Sequence, residues 1–170
     1  EVYFYNISDT VFTDSVFDDR LQLSFISDTL FEDCVLDSCF GSSGSSDCDF
    51  INCDIKGNIF SFRECPRMQV INCTSSTEIE VGSDSYVRSC VINTTLCGVC
   101  TYTHSLITDN VIFGDGSSIG ISVLGHTEGT TIQNNTIAGF NVGINVQCNN
   151  AFVMENSVSS CQVGIYVTGN

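Results

Sequence analysis

The feature that most constrains this chain is an internal repeat too short to close on itself. In the C-terminal half three segments align: "TDNVIFGDGSSIGISV", "QNNTIAGFNVGINV" and "MENSVSSCQVGIYV". Each carries an asparagine (Asn110, Asn135, Asn156), a β-branched pair or near-pair, a small polar turn and then Gly-Ile-x-Val. The Gly-Ile-x-Val units begin at Gly120, Gly143 and Gly164, spacings of 23 and 21 residues, and the asparagines are 25 and 21 apart. Helical periodicity is absent; short β-branched runs punctuated by Gly, Asn, Asp and Ser read as strands and turns. A unit of this length cannot bury its own apolar face and must stack on its neighbours. The spacing predicts an all-β solenoid with one repeat per coil, each coil paired in parallel with the next about 4.8 Å along the axis. Asparagine at one recurring turn position suits that geometry, because stacked amides hydrogen-bond along a ladder and tolerate a left-handed turn.

The N-terminal half keeps a shorter beat. It reads in fives as "TVFTD SVFDD", "SFISD TLFED CVLDS CF" and "CDFIN CDIKG NIFSF", with Phe12, Phe17, Ile26, Phe31, Leu36, Phe50, Ile55 and Phe60 at the centres. Two residues before each centre stands Thr, Ser, Cys or Asn; two residues after it, usually Asp or Asn. "RLQL" (20–23) breaks the beat, and "GSSGSSD" (41–47) reads as an excursion loop at a coil corner. Four fives make a coil of about 20 residues, compatible with the longer repeat downstream.

The C-terminal pattern, over roughly residues 85–170, resembles the right-handed parallel β-helix repeats of the pectate-lyase and NosD type. The five-residue beat, over about residues 10–62, resembles pentapeptide-repeat β-solenoids, in a variant like the luminal domain of synaptic vesicle glycoprotein 2. That second resemblance implies that the central residue and the small residue two before it both point inward. Together they imply one right-handed parallel β-helix domain over 1–170 with uncapped ends. It would hold about eight coils, each of about 20–25 residues. Pentapeptide-like coils would occupy 10–62 and irregular coils 63–170.

Charge and cysteine content narrow the function classes. Twenty acidic against five basic residues give a formal net charge of −15, which leaves no basic footprint for nucleic acid and disfavours an anionic membrane surface. No apolar stretch approaches the length of a spanning helix, about 18 residues, so no membrane insertion is expected. Eleven cysteines and four N-x-S/T sequons, at Asn6, Asn72, Asn93 and Asn134, point to a secreted or cell-surface protein carrying N-linked glycans. Cys34, Cys39, Cys48 and Cys53 fall on the small inward position of the beat, and Cys53 and Cys73 are 20 residues apart, one coil. Such pairs either reach across neighbouring coils as disulfides or stack as small apolar core residues. Cys97-Gly-Val-Cys100 lacks the βαβ context of a redox motif and the second pair of a zinc site, so a local or cross-coil disulfide is expected there. Cys34, Cys53, Cys73, Cys97 and Cys100 are thus the disulfide candidates.

Asp14, Asp19, Asp28 and Asp33 occupy outward positions. Stacked carboxylates suit Ca²⁺, but a solvated, self-repelling face that blocks lateral sheet pairing is the favoured reading. No catalytic, metal or cofactor residue is assigned. A polygalacturonase-like hydrolase would show an Asp-Asp pair, Gly-His-Gly and a basic Arg-Ile-Lys element. Asp18-Asp19 belongs to the five-residue beat, Gly125-His126 is followed by Thr127, and the basic element is missing. The basic residues (Arg20, Lys56, Arg63, Arg67, Arg88) avoid the regular C-terminal repeats, and a lone turn histidine such as His104 is usually solvated.

Written end before beginning, "VGIYVTGN" runs into "EVYFYNIS", and Asn156 to Asn6 across that join, through Asn170, spans one coil length. The rhythm predicts head-to-tail stacking through Val2, Phe4, Asn6, Ile165 and Val167, with further copies as partners. The resulting expectation is a non-enzymatic structural unit of an extracellular, glycosylated fibre or appendage. A carbohydrate-binding or carbohydrate-cleaving β-helix, or a module that accepts a partner strand at its edge, are the alternatives.

Overall fold

Alternating apolar and polar residues lay down 23 short strands and no helix among the described residues. The computed structural model describes residues 1–42, 44–125 and 129–168. Every strand pair is parallel, and an eight-stranded sheet and a fifteen-stranded sheet wrap one core. The eight-stranded sheet is the first face. Its inward column runs Phe12, Phe31, Phe50, Val70, Val87, Ile107, Ile132, Val153. Successive turns therefore differ in length, the shortest running from Val70 to Val87 and the longest from Ile107 to Ile132. The chain is a parallel β-solenoid of eight turns, plus one leading strand, Val2–Tyr5.

The fifteen-stranded sheet folds into two more faces. In the first two turns it is one long strand each, Val16–Ser24 and Val35–Gly41. From the third turn the strand splits, Asp54–Ile55 on the second face and Phe60–Phe62 on the third. The cross-section thus changes from two long sides to three shorter ones, close to where the five-residue beat ends. The centres Ile26, Phe31, Leu36, Phe50, Ile55 and Phe60 are fully buried, and Phe12 and Phe17 are partly buried against the same core. "RLQL" breaks the beat because the pairing shifts between Phe17 and Arg20, which re-aims Leu21 and Leu23 inward. The segment 41–47 is less of an excursion than expected: Ser45 is buried and its hydroxyl accepts the Ile26 N–H at 3.3 Å. Ser43 lies outside the described residues.

Aromatic rings fill the early core. Phe4, Phe12, Phe31 and Phe50 stack with centroids 4.8, 4.9 and 4.9 Å apart, the strand spacing itself. Later turns replace them in this column with Val and Ile, while Phe140 is buried elsewhere in the seventh turn.

The corner between the first and second faces sets the register of the whole solenoid. Its inward column reads Ser15, Cys34, Cys53, Cys73, Cys90, Asn110, Asn135, Asn156. Asn110 Nδ2 donates to Asn135 Oδ1 and Asn135 Nδ2 to Asn156 Oδ1, each at 2.9 Å. Each upper amide oxygen also accepts a main-chain N–H of the turn below. The expected amide ladder is present, but its asparagines are not the left-handed residues. That conformation falls one residue earlier, at Asp14, Asp33, Asn52, Asn72, Ser89, Asp109, Asn134 and Glu155, with φ between 49° and 59°. The Gly-Ile-x-Val glycines serve a different corner: a Cβ on Gly120 would lie 2.5 Å from the Gly143 carbonyl oxygen and 2.5 Å from Ile137.

Two sequence expectations are corrected here. All eleven cysteines are free thiols, so the disulfide expected at Cys97 and Cys100 is absent, and of the two alternatives open for Cys34, Cys53 and Cys73 the structure shows stacked thiols. Stacked positions keep parallel Cα–Cβ directions at the strand spacing, outside the shorter Cβ–Cβ approach a disulfide needs. The thiols instead copy the amides. Cys53, Cys73 and Cys90 donate to Phe31, Phe50 and Val70 carbonyls of the previous turn and to their own i−2 carbonyls, at 3.3–3.4 Å. Burial pushes the Cys48 thiol up to about 12 and Cys65 up to about 11. The second correction concerns the joined ends. Asn156 lies at the entry to the second face, whereas Asn6, aligned with Phe25, lies at the exit from the third. A direct join would set two third-face strands in succession with no first or second face between them. Asn170 itself lies outside the described residues.

Candidate functional site: a groove on the third face

Outward residues on the third face form the column Ser61, Glu80, Cys100, Ser122, Asn145, Tyr166. Outward side chains of a solenoid are normally solvated, yet Cys100, Ser122 and Asn145 are only 7, 3 and 6% exposed. A wall explains this. The connection between the second and third faces lengthens in the fifth and sixth turns, and Ser117, Ser118 and Ile119 line one side of the column while Leu124 and Gln147 line the other. The groove, open to solvent, holds about 540 Å³, and a separate hollow lower on the same face is lined by Ser61, Thr77, Glu78 and Glu80.

The hollow and the groove differ chemically. At the hollow Ser61 Oγ and Tyr102 Oη both donate to Glu80, at 2.5 and 3.0 Å, and the Arg63 guanidinium lies 5.2 Å from the centre of the Tyr102 ring. Burial, then the Glu80 charge, pushes the Tyr102 phenol up to about 12, so it remains a donor. Between them, Glu78, Cys97 and Cys100 bring a carboxylate oxygen and two sulfurs within 4.8 Å of one another. Burial raises Glu78, the Cys97 thiol followed by burial raises Cys100, and both favour the protonated form until a cation competes for them. In the groove Asn145 Oδ1 is buried and without a hydrogen-bond partner, as is Thr77 Oγ1 at the hollow.

Sequence reasoning treated Cys97 and Cys100 as a pair but missed Glu78, which lies one turn away and is brought alongside by the Ile79–Val99 register. The other candidates do not converge. Asp14, Asp28 and Asp33 hold left-handed corner positions, where a short polar side chain suits positive φ. Asp18 and Asp19 lie exposed on Val16–Ser24, turns away from the groove. His104 is an exposed corner residue with φ 54°, and His126 and Thr127 lie outside the described residues. Asn6, Asn72, Asn93 and Asn134 are all exposed, although Asn72 and Asn134 spend their amides on Asn52 and Asp109. Val2 and Ile165 stand at opposite ends of one inward column of the third face, and Phe4 and Val167 at opposite ends of the next. No described helix is long and apolar enough to cross a membrane.

Residues 9–170 match the family model described as periplasmic copper-binding protein (NosD). No curated protein and no solved structure matches the chain.

Proposed function

The chain belongs to the NosD family, and from that premise we propose that it is a rigid extracytoplasmic β-helix scaffold that extends end-on by accepting the strands of a second copy. The observation that supports this reading is that the first and last strands of the third face present the same two inward apolar columns, Val2 and Ile165 in one and Phe4 and Val167 in the next. Strands that present matching apolar columns are templates for parallel pairing. A copy laid with its third face in line sets Val2 beside Ile165 and Phe4 beside Val167 and continues both inward columns. Each copy adds about 40 Å along the axis. Glycans on the exposed sequons Asn6 and Asn93 would keep the outer surface from bundling laterally, and the role is structural rather than catalytic.

The family description names copper; the described cluster with soft donors that fits such an ion is Glu78, Cys97 and Cys100. Light scattering across a concentration series tests the stacking. The expected result is a rising mass with particles lengthening in steps, abolished by Ile165→Asp or by Val2→Asp without loss of the β circular-dichroism signal. A constant monomer mass, or oligomers that ignore both substitutions, overturns the reading.

A further inference from the structure

We propose that Cys97, Cys100 and Glu78 form a binding site for one thiophilic d¹⁰ metal cation, Zn²⁺ or Cu⁺, on the outer wall of the third face. The inference is independent of end-on stacking. It stands first on the donor set. Two sulfurs and a carboxylate oxygen lie within 4.8 Å of one another, close enough for small side-chain rotations to bring all three to one ion at metal–ligand distances of about 2.0–2.3 Å. Thiolates select soft or borderline cations, and the hard carboxylate adds a third ligand that suits Zn²⁺.

It stands secondly on the pair's place outside the corner ladder, where the Cys97 thiol makes one long bond, to the Val99 carbonyl at 3.5 Å. Cys34, Cys53, Cys73 and Cys90 each donate to two main-chain carbonyls and are built into the corner of the fold. Cys100 points away from the core, between inward Val99 and Thr101, and its role in the corner ladder is nil. Cys97 is partly exposed and gives the pair an entrance from solvent. A buried outward thiol beside an open groove serves no packing purpose that the other turns need, since serine and asparagine fill the same column above it.

The third observation is the cavity. Asn145, two turns up the same column, is 6% exposed, and its Oδ1 lacks a hydrogen-bond partner while lining the groove that holds Cys97 and Cys100. An orphaned buried acceptor is costly unless something in the cavity uses it. Asn145 stands two strand spacings above Cys100, so a ligand on the ion that extends up the groove would supply the missing donor. Binding is balanced without redox chemistry: each thiol that ligates gives up its proton to solvent, and no electron moves.

The full chain, reduced and stripped with chelator, is titrated with Co²⁺ as the spectroscopic probe, with Zn²⁺ in competition, and separately with Cu⁺ held in a chromophoric chelator buffer. One equivalent per chain is expected, with a sulfur-to-cobalt charge-transfer band in the near ultraviolet. Cys97→Ser and Cys100→Ser should each weaken binding by about 100-fold or more, since even outer-shell changes cost about 10–100-fold. Glu78→Gln should weaken Zn²⁺ and Co²⁺ more than Cu⁺, and Cys161→Ser, the other partly exposed thiol, should change nothing. Circular dichroism monitors folding; should Cys100→Ser fail to fold, the outlying Cys97→Ser carries the same test. Absence of stoichiometric binding, binding that ignores Cys97→Ser, binding lost in Cys161→Ser, or a Cys97–Cys100 disulfide in protein prepared without reductant overturns the proposal.

Discussion

The corner between the first and second faces is built twice in one molecule, from thiols in the second to fifth turns and from amides in the last three. Both versions place a donor on the same two carbonyls, one in the previous turn and one two residues back. They differ in what passes up the column. An amide oxygen accepts the main-chain N–H and the amide of its neighbour, whereas a thiol is a weak acceptor, and only the Cys53 N–H to Cys73 sulfur contact, 3.3 Å, has a counterpart. The second and third turns, which carry Cys34 and Cys53, compensate through the core. Phe31 and Phe50 there continue the ring stack that begins at Phe12, whereas the fourth and fifth turns, with Cys73 and Cys90, already pack Val70 and Val87, as the amide turns pack Ile107, Ile132 and Val153. Register can thus be held from the corner by hydrogen bonds or from the centre by aromatic packing, and the fourth and fifth turns are the stretch where both are weaker.

Four measurements break or sharpen that contrast. Phe31→Ala removes the middle of the ring stack and is expected to cost about 3–5 kcal/mol, read as a shift in denaturant midpoint at unchanged slope. A loss below about 1 kcal/mol would mean that the early turns do not depend on their aromatic core. Asn135→Ala leaves the buried Asn110 N–H and amide without their acceptor, for an expected loss of about 3 kcal/mol, and Cys73→Ala should cost less, about 1–2 kcal/mol. Equal costs would erase the distinction between the two ladders. Thiol labelling of the folded protein should modify Cys97 and Cys161 first, with the nine buried cysteines protected until unfolding. Early labelling of Cys34, Cys53, Cys73 or Cys90 would show a corner that opens locally.

The smallest effect concerns pH. The Arg67 guanidinium, held in a two-bond fork at 2.6 Å, keeps the Asp47 carboxyl below its usual range. Because the folded value is depressed, its contribution is full above the unfolded carboxylate pKa and fades as pH falls through the folded one. Asp47→Asn should flatten that acid limb slightly, lowering stability a little at neutral pH and converging with the parent protein once the carboxyl is protonated.

Much of the fold is legible in the residues. The inward columns follow from two-residue alternation, and the Gly-Ile-x-Val spacing reappears as the Ile121–Ile144–Ile165 register. The site is less legible. Cys97 and Cys100 announce themselves by proximity in sequence, but Glu78 is separated from them by most of a turn, and nothing local marks it. The burial of outward Ser122 and Asn145 comes from a wall contributed by other turns, so their polarity and strand position predict exposure that the structure denies.

By itself the sequence determined that this chain is a parallel β-solenoid and which residues face its core, because both depend on short-range alternation and a repeat that must stack. The tertiary structure alone decided which residue at each corner turns left-handed, that the cysteines hydrogen-bond instead of crosslinking, that the two ends are out of phase, and that a carboxylate meets two thiols. Turn length varies along the axis, from the short step between Val70 and Val87 to the long one between Ile107 and Ile132, so sequence distance does not translate into axial alignment. Only the laid-down main-chain hydrogen bonds fix which side chains stand over one another.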